Sequence, residues 1–157
     1  MPKSASRSSG GATAPLDEWA RGAAATLSGT GYRGGRARRA VIDFLGRQEC
    51  CLSATEIFDG LRGEGKTIGL ASVYRTLEQL SRLRLVQRLD FGDAALYEPM
   101  LSTGEHHHHV ICDDCGKVEP FSDRPLERAL GRLGSQLDYE LEGHDVVLRG
   151  SCSDCRA

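Results

Sequence analysis

Four of the six cysteines in this 157-residue chain form two Cys-x-x-Cys pairs, Cys112/Cys115 and Cys152/Cys155. Two such pairs supply four thiolates, the number that closes tetrahedrally around one structural zinc and leaves no open position for a reactant. The 36 residues between Cys115 and Cys152 bring the pairs together only through a fold, and a redox dithiol would sit in a thioredoxin-like βαβ pattern that neither pair has. The second constellation is Glu105-His106-His107-His108-His109. On a strand its side chains alternate, so His106 and His108 face one way and His107 and His109 the other, and one run can feed two sites. Imidazole suits zinc, iron, nickel and copper, which leaves the metal open. A histidine tag usually stands at a terminus, whereas this run is internal. The third is the basic cluster Arg33, Arg36, Arg38 and Arg39, together with Ser72, Tyr74, Arg75 and Gln79. These side chains could reach phosphates and base edges. One arginine and one glutamine on a helix are by themselves only a solvated face, so the elements around them must carry the argument.

Residues 1–15 are rich in Ser, Gly and Ala, cannot repay the entropy of ordering, and read as a disordered tail. A short helix follows from Leu16 to about Leu27, then Gly29, Gly31, Gly34 and Gly35 break the chain. Val41, Ile42 and Leu45 place an apolar stripe on a helix over about 36–47. Ser53-Ala-Thr-Glu56 has the form of a capping box, starting a helix that buries Ile57, Phe58 and Leu61 and ends near Gly63. Leu70, Val73, Leu77 and Leu80 define the buried side of a third helix, with Ala71, Arg75, Gln79 and Arg82 roughly opposite and Tyr74 at the flank. Two β-like runs, 85–89 and 94–98, close around Gly92. Three helices and a hairpin make the order of a winged helix-turn-helix.

Strands are expected at 107–112 and 117–121 around the first cysteine pair, a helix stripe at Leu126, Ala129, Leu130, Leu133 and Leu137, and strands at 139–141 and 146–148. A ββαββ unit of this size has a small core and needs both zinc and a partner subunit. The fold class expected is therefore α+β: a winged-helix domain over 16–98, a hinge at 99–105 and an α/β dimerisation domain over 106–157.

The formal charge of −2 splits into +2 over residues 1–15, +1 over 16–98 and −5 over 99–157. Attraction to phosphate depends on the local basic face, so the total does not exclude a nucleic-acid partner. No apolar run approaches a membrane span of about 20 residues, and the N-terminus lacks the apolar core of a secretion signal. A cytoplasmic protein with reduced thiols is expected. An enzyme is not: the zinc deaminase pairing of His-x-Glu with Pro-Cys-x-x-Cys is missing, and four thiolates deny zinc an open position. A zinc-ribbon protein-interaction module would account for 106–157 and leave the first half unexplained.

Four stretches resemble the ferric uptake regulator family of metal-dependent repressors: Ser53-Ala-Thr-Glu-Ile-Phe58, Ile68-Gly-Leu-Ala-Ser-Val-Tyr-Arg-Thr-Leu77, the run from His106 to Phe121, and Gly150-Ser-Cys-Ser-Asp-Cys155. The resemblance spans about residues 30–155. It implies a homodimer that metal closes onto a palindromic operator in double-stranded DNA, with no membrane and no small-molecule substrate. It implies Tyr74 and Arg75 as recognition-helix residues and Cys112, Cys115, Cys152 and Cys155 as structural Zn2+ ligands. His107 and His109 match two sensing ligands, Glu98 matches a carboxylate of that site, and Cys51 falls where a histidine often stands. His106, His108, Glu127 and His144 match an additional site, with His108 in place of an aspartate common in iron sensors. Leu101 stands where zinc sensors often carry a cysteine, and Gly35 where a threonine commonly caps the helix bearing Arg38. The four-histidine run favours Zn2+ as regulatory metal. Fe2+, with an iron- or peroxide-sensing repressor, is the alternative.

Overall fold

The computed structural model describes residues 14–31, 35–48, 50–91, 94–101 and 107–156. These divide into two compact units, one of the described residues up to 101 and one of those from 107. The first contains helices α1 (Ala14–Gly29), α2 (Arg36–Leu45), α3 (Ala54–Gly63) and α4 (Leu70–Arg82), with strands β1 (Leu52–Ser53), β2 (Val86–Phe91) and β3 (Ala94–Pro99). The second contains β4 (His108–Cys112), β5 (Val118–Phe121), helix α5 (Arg124–Gln136) and β6 (Val147–Gly150). The fold class is α+β.

In the first unit α1 buries Leu16, Trp19, Ala23 and Leu27, a spacing that follows one helix face. It begins at Ala14, so the tail expected over 1–15 gives up its last two residues; Pro15 is tolerated in a first turn, where its missing N–H has no helical partner to lose. The indole N–H of Trp19 donates to the Leu85 carbonyl at 2.6 Å, tying α1 to the start of the hairpin. Helix α2 buries Val41, Ile42, Phe44 and Leu45, and Gly35 gives its first turn no side-chain cap. The capping box on α3 is complete: Ser53 Oγ accepts from the Glu56 N–H at 3.2 Å, and Glu56 Oε2 accepts from the Ser53 N–H at 2.9 Å. Where α2 meets α3, Gly60 is required, because a Cβ there would lie 2.2 Å from Cζ of Phe44.

Helix α4 buries Val73, Thr76, Leu77 and Leu80 against this core. The buried Thr76 hydroxyl donates to the Ser72 carbonyl at 2.8 Å, which satisfies it without a tertiary partner. The chain leaves α4 through Arg84, whose φ of 54° supplies the left-handed turn into β2. The hairpin is longer than expected, with Val86 opposite Pro99 and Phe91 opposite Ala94. The two-residue β1 pairs with the other edge of β3, giving the order β1-β3-β2. A strand that short has no alternation to read in a sequence. The turn at Gly92 lies outside the described residues.

In the second unit β4 is central, antiparallel to β5 and parallel to β6. Asp123 caps α5, its carboxylate accepting from the Leu126 N–H at 2.7 Å. The helix ends where Asp138 turns left-handed at φ 58° and the Tyr139 N–H returns to the Gly134 carbonyl at 2.9 Å. This corrects the expected strand at 139–141. Leu141 instead folds onto Gly134, where a Cβ would stand 2.7 Å from its Cγ, and both sides of β4 are already taken by β5 and β6.

Little of this unit is internal. Ile111 is its one buried aliphatic side chain among the described residues, whereas Leu133 is 48% exposed, Leu137 60% and Tyr139 72%. The stripe expected on α5 thus lies mostly at the surface.

Candidate metal centres and nucleic-acid interface

The turn after β4 and the chain end after β6 meet because the strands are parallel neighbours, Cys112 opposite Gly150. Each cysteine pair forms a tight turn. The Gly116 N–H donates to the Cys112 carbonyl at 2.9 Å, with Gly116 at φ 72°, and the Cys155 N–H to the Cys152 carbonyl at 3.0 Å. The four sulfurs lie within 4.8 Å of one another, and Sγ of Cys115 is 3.9 Å from Sγ of Cys152. The Cys152 N–H donates to Sγ of Cys112 at 3.3 Å. That bond, with a second from the Cys115 backbone, pulls the Cys112 thiol down to about 6 from 9.0. The Cys155 thiol moves strongly up, because the thiols of Cys152 and Cys115 crowd it. One thiolate forms readily here, and four can coexist only around a cation. The donor set fits a tetrahedral metal site.

His108, from β4, is 2% exposed. Its Nε2 lies 2.6 Å from Oε1 of Glu127 on α5, and Nε2 of His144 lies 3.0 Å from Oε2 of the same carboxylate. The Phe121 ring opposite His108 on β5 stands 5.5 Å away and covers one side. A carboxylate between two imidazole nitrogens, all three ligand atoms within 4.8 Å, is a set that one divalent cation can bind in place of the shared protons. His107 and His109 lie together on the other side of the strand, their ring centroids 5.0 Å apart. His106 and Arg33 fall outside the described residues.

In the first unit Glu98 is 5% exposed and Cys51 1%. The β1–β3 register pairs Leu52 with Tyr97, so extending it by one residue sets Cys51 opposite Glu98. The Cys51 thiol is pushed far up by the neighbouring Cys50 side chain, then by burial, with the Glu98 charge adding to it. Cys50 Sγ is 3.8 Å from Cys51 Sγ. Cys50 lies outside the ligand set expected from the sequence, where only its adjacency to Cys51 marks it.

Of the proposed nucleic-acid contacts, Tyr74 is 49% exposed and Arg75 is exposed beside it, its Nη2 3.4 Å from Ser72 Oγ. Ser72 and Gln79 are half-buried on the same helix, as is Arg38 on α2. Arg39 is held by Asp43 at 2.9 Å. A helix with one face locked in a three-helix core and an aromatic and an arginine at the surface is a suitable reading head for a DNA groove.

Among known proteins, the ferric uptake regulation protein of Vibrio anguillarum is 38% identical over 119 residues, covering 74% of this chain and 78% of that protein. That of Haemophilus influenzae is 39% identical over 103 residues, 65% of this chain and 69% of that protein. The structure of the Helicobacter pylori ferric uptake regulator, with three functional metal-binding sites, superposes with a TM-score of 0.77 at 26% identity, covering 90% of this chain and 94% of that one. The Vibrio cholerae ferric uptake regulator superposes with a TM-score of 0.72 at 34% identity, covering 82% and 98%. The sequence profile described as "Ferric uptake regulator family" matches residues 29–149. The chain belongs to that family, and it is a metal-responsive transcription regulator rather than an enzyme.

Proposed function

We propose that this protein is a homodimeric, DNA-binding repressor of metal-uptake genes, with metal as co-repressor and zinc the favoured regulatory ion. The observation that carries the reading is the combination, in one chain, of the exposed Tyr74–Arg75 face of α4 with clustered metal-ligand side chains.

Cys112, Cys115, Cys152 and Cys155 would hold structural zinc, which supplies folding free energy to a unit with a single buried aliphatic residue among those described. His106, His108, Glu127 and His144 are proposed for an additional site, supported by the Glu127 carboxylate shared between His108 and His144. Cys51, Glu98, His107 and His109 are proposed as sensing ligands on the strength of the resemblance. A thiol, two imidazoles and one carboxylate are a borderline-soft set of donor types, which supports zinc. Iron is the second reading, supported by the relatives that are ferric uptake regulation proteins.

Ligands drawn from both units make DNA-competent arrangements more favourable when they are filled, and linkage then requires operator DNA to tighten metal binding by the same factor. Tyr74, Arg75 and Gln79 would read base edges in the major groove, and Arg33, Arg38 and Ser72 would contact phosphates. The exposed Leu133, Leu137 and Tyr139 support burial against a second copy, whose two-fold axis would match a palindromic operator.

The test is binding to the promoter of the protein's own gene, with the cysteine site filled, against buffered free zinc and anaerobic ferrous iron. Activation by zinc at far lower free concentration supports the zinc reading. Activation by iron alone replaces it with the iron reading, and DNA binding indifferent to every divalent metal would overturn the co-repressor scheme.

A further inference from the structure

We propose that Cys50 and Cys51 together form a dithiolate chelate for one thiophilic divalent cation, making Cys50 a second sulfur ligand beside the Cys51 already assigned to sensing. The inference rests on that sensing assignment and narrows the cation to the zinc and cadmium class.

The geometry is the first support. Two sulfurs bound at about 2.3 Å to one tetrahedral ion stand about 3.8 Å apart, and the Cys50–Cys51 Sγ separation is 3.8 Å. The four-cysteine cluster supplies an internal comparison, with 3.9 Å between Cys115 and Cys152. The pair lies in the segment between α2 and β1, where no helix forces adjacent side chains apart as it would at i and i+1. Their surroundings are the second support. Cys51 is 1% exposed and Cys50 half-buried, so the pair has a buried floor and an accessible side by which an ion can arrive. The Glu98 carboxylate, opposite Cys51 by register and 5% exposed, adds negative charge on the same strand pair and so favours a cation there. Two adjacent thiolates are a soft donor pair, which zinc or cadmium matches better than ferrous iron does.

Binding displaces one proton from each thiol to solvent and forms two metal–sulfur bonds, with no change of oxidation state. The test uses full-length protein under anaerobic reducing conditions, its four-cysteine site first filled with zinc and the zinc content measured before and after. One equivalent of Co2+ is added and sulfur ligation read from the thiolate-to-cobalt charge-transfer absorption, with Cd2+ affinity measured by competition. Two sulfurs in wild type, and one in each of Cys50→Ser and Cys51→Ser, support the chelate. Cys50→Ser should also weaken Cd2+ by at least the roughly 10–100-fold that loss of an outer-shell partner costs. If wild type shows a single sulfur that survives Cys50→Ser and disappears in Cys51→Ser, the chelate is wrong and the sensing assignment stands. A cobalt spectrum without sulfur overturns both.

Discussion

With zinc in the four-cysteine cluster as proposed, its removal by a strong chelator or by Cys112→Ser should unfold residues 107–156 while leaving the first unit folded. Ile111 is the only buried aliphatic side chain among the described residues of the second unit, and full burial of one such side chain contributes about 1.5–3 kcal/mol. A structural zinc site contributes about 10–16 kcal/mol in apparent terms near neutral pH. The metal term is several times larger, so what remains without it cannot hold the strands. The first unit owns a continuous core from Trp19 through Ile42, Leu45, Ile57, Val73, Leu77 and Leu80 to Tyr97. Two probes separate the units. The single tryptophan of the chain, Trp19, lies in the first core. The amides of His109, Cys112 and Asp113, bonded to Val146, Lys117 and Gly150 at 3.2, 2.9 and 2.9 Å, report on the second sheet. Chelation should abolish hydrogen-exchange protection at those three amides and leave the tryptophan-detected unfolding transition where it was. Persistent protection in protein whose four thiols have been proved metal-free by alkylation would refute the reasoning.

Arg75→Ala should weaken operator binding by about 1–3 kcal/mol if Arg75 reads a base, or flatten the salt dependence by about one charge if it contacts phosphate; fluorescence anisotropy across a salt series distinguishes these, and an unchanged affinity and slope would remove α4 from the interface. Leu137→Asp should dissociate the dimer. Leu137 is 60% exposed, so losing the burial of that surface on each copy removes about 2–4 kcal/mol, or roughly 10–10³-fold in association, which sedimentation equilibrium measures. Gly60→Ala places a methyl against Phe44 and should destabilise the first unit by about 1–3 kcal/mol. Phe44→Leu in the same chain should recover part of that loss, and strict additivity in denaturant unfolding would count against the contact.

The elements that local chemistry specifies were readable from the residues. Ser53 and Glu56 are three apart because a capping box needs that spacing, and α3 begins there. Val73, Leu77 and Leu80 keep one helix face apolar, and α4 buries that face. The two Cys-x-x-Cys pairs pointed to a metal-binding cluster because four thiols have few other uses, although only the parallel pairing of β4 with β6 brings them within 4.8 Å. The same alternation that correctly put strands at β4 and β5 suggested one at 139–141. There the decision was tertiary: Gly134 offers Leu141 a surface to lie on, and the positions beside β4 are filled.

Periodicity also could not say which apolar stripe is internal. Those of α2 and α4 meet partners within their own unit, while Leu133 and Leu137 of α5 remain exposed, because a helix pattern records that a face must be covered and carries nothing about which chain covers it. Cys50 shows the same limit at a site. Its place beside Cys51 is plain in the sequence, but the 3.8 Å between their sulfurs depends on the backbone between α2 and β1. Residue types thus determined the available chemistry and the local elements, and the long-range pairing of strands and the packing of neighbouring side chains determined which ligands share a centre.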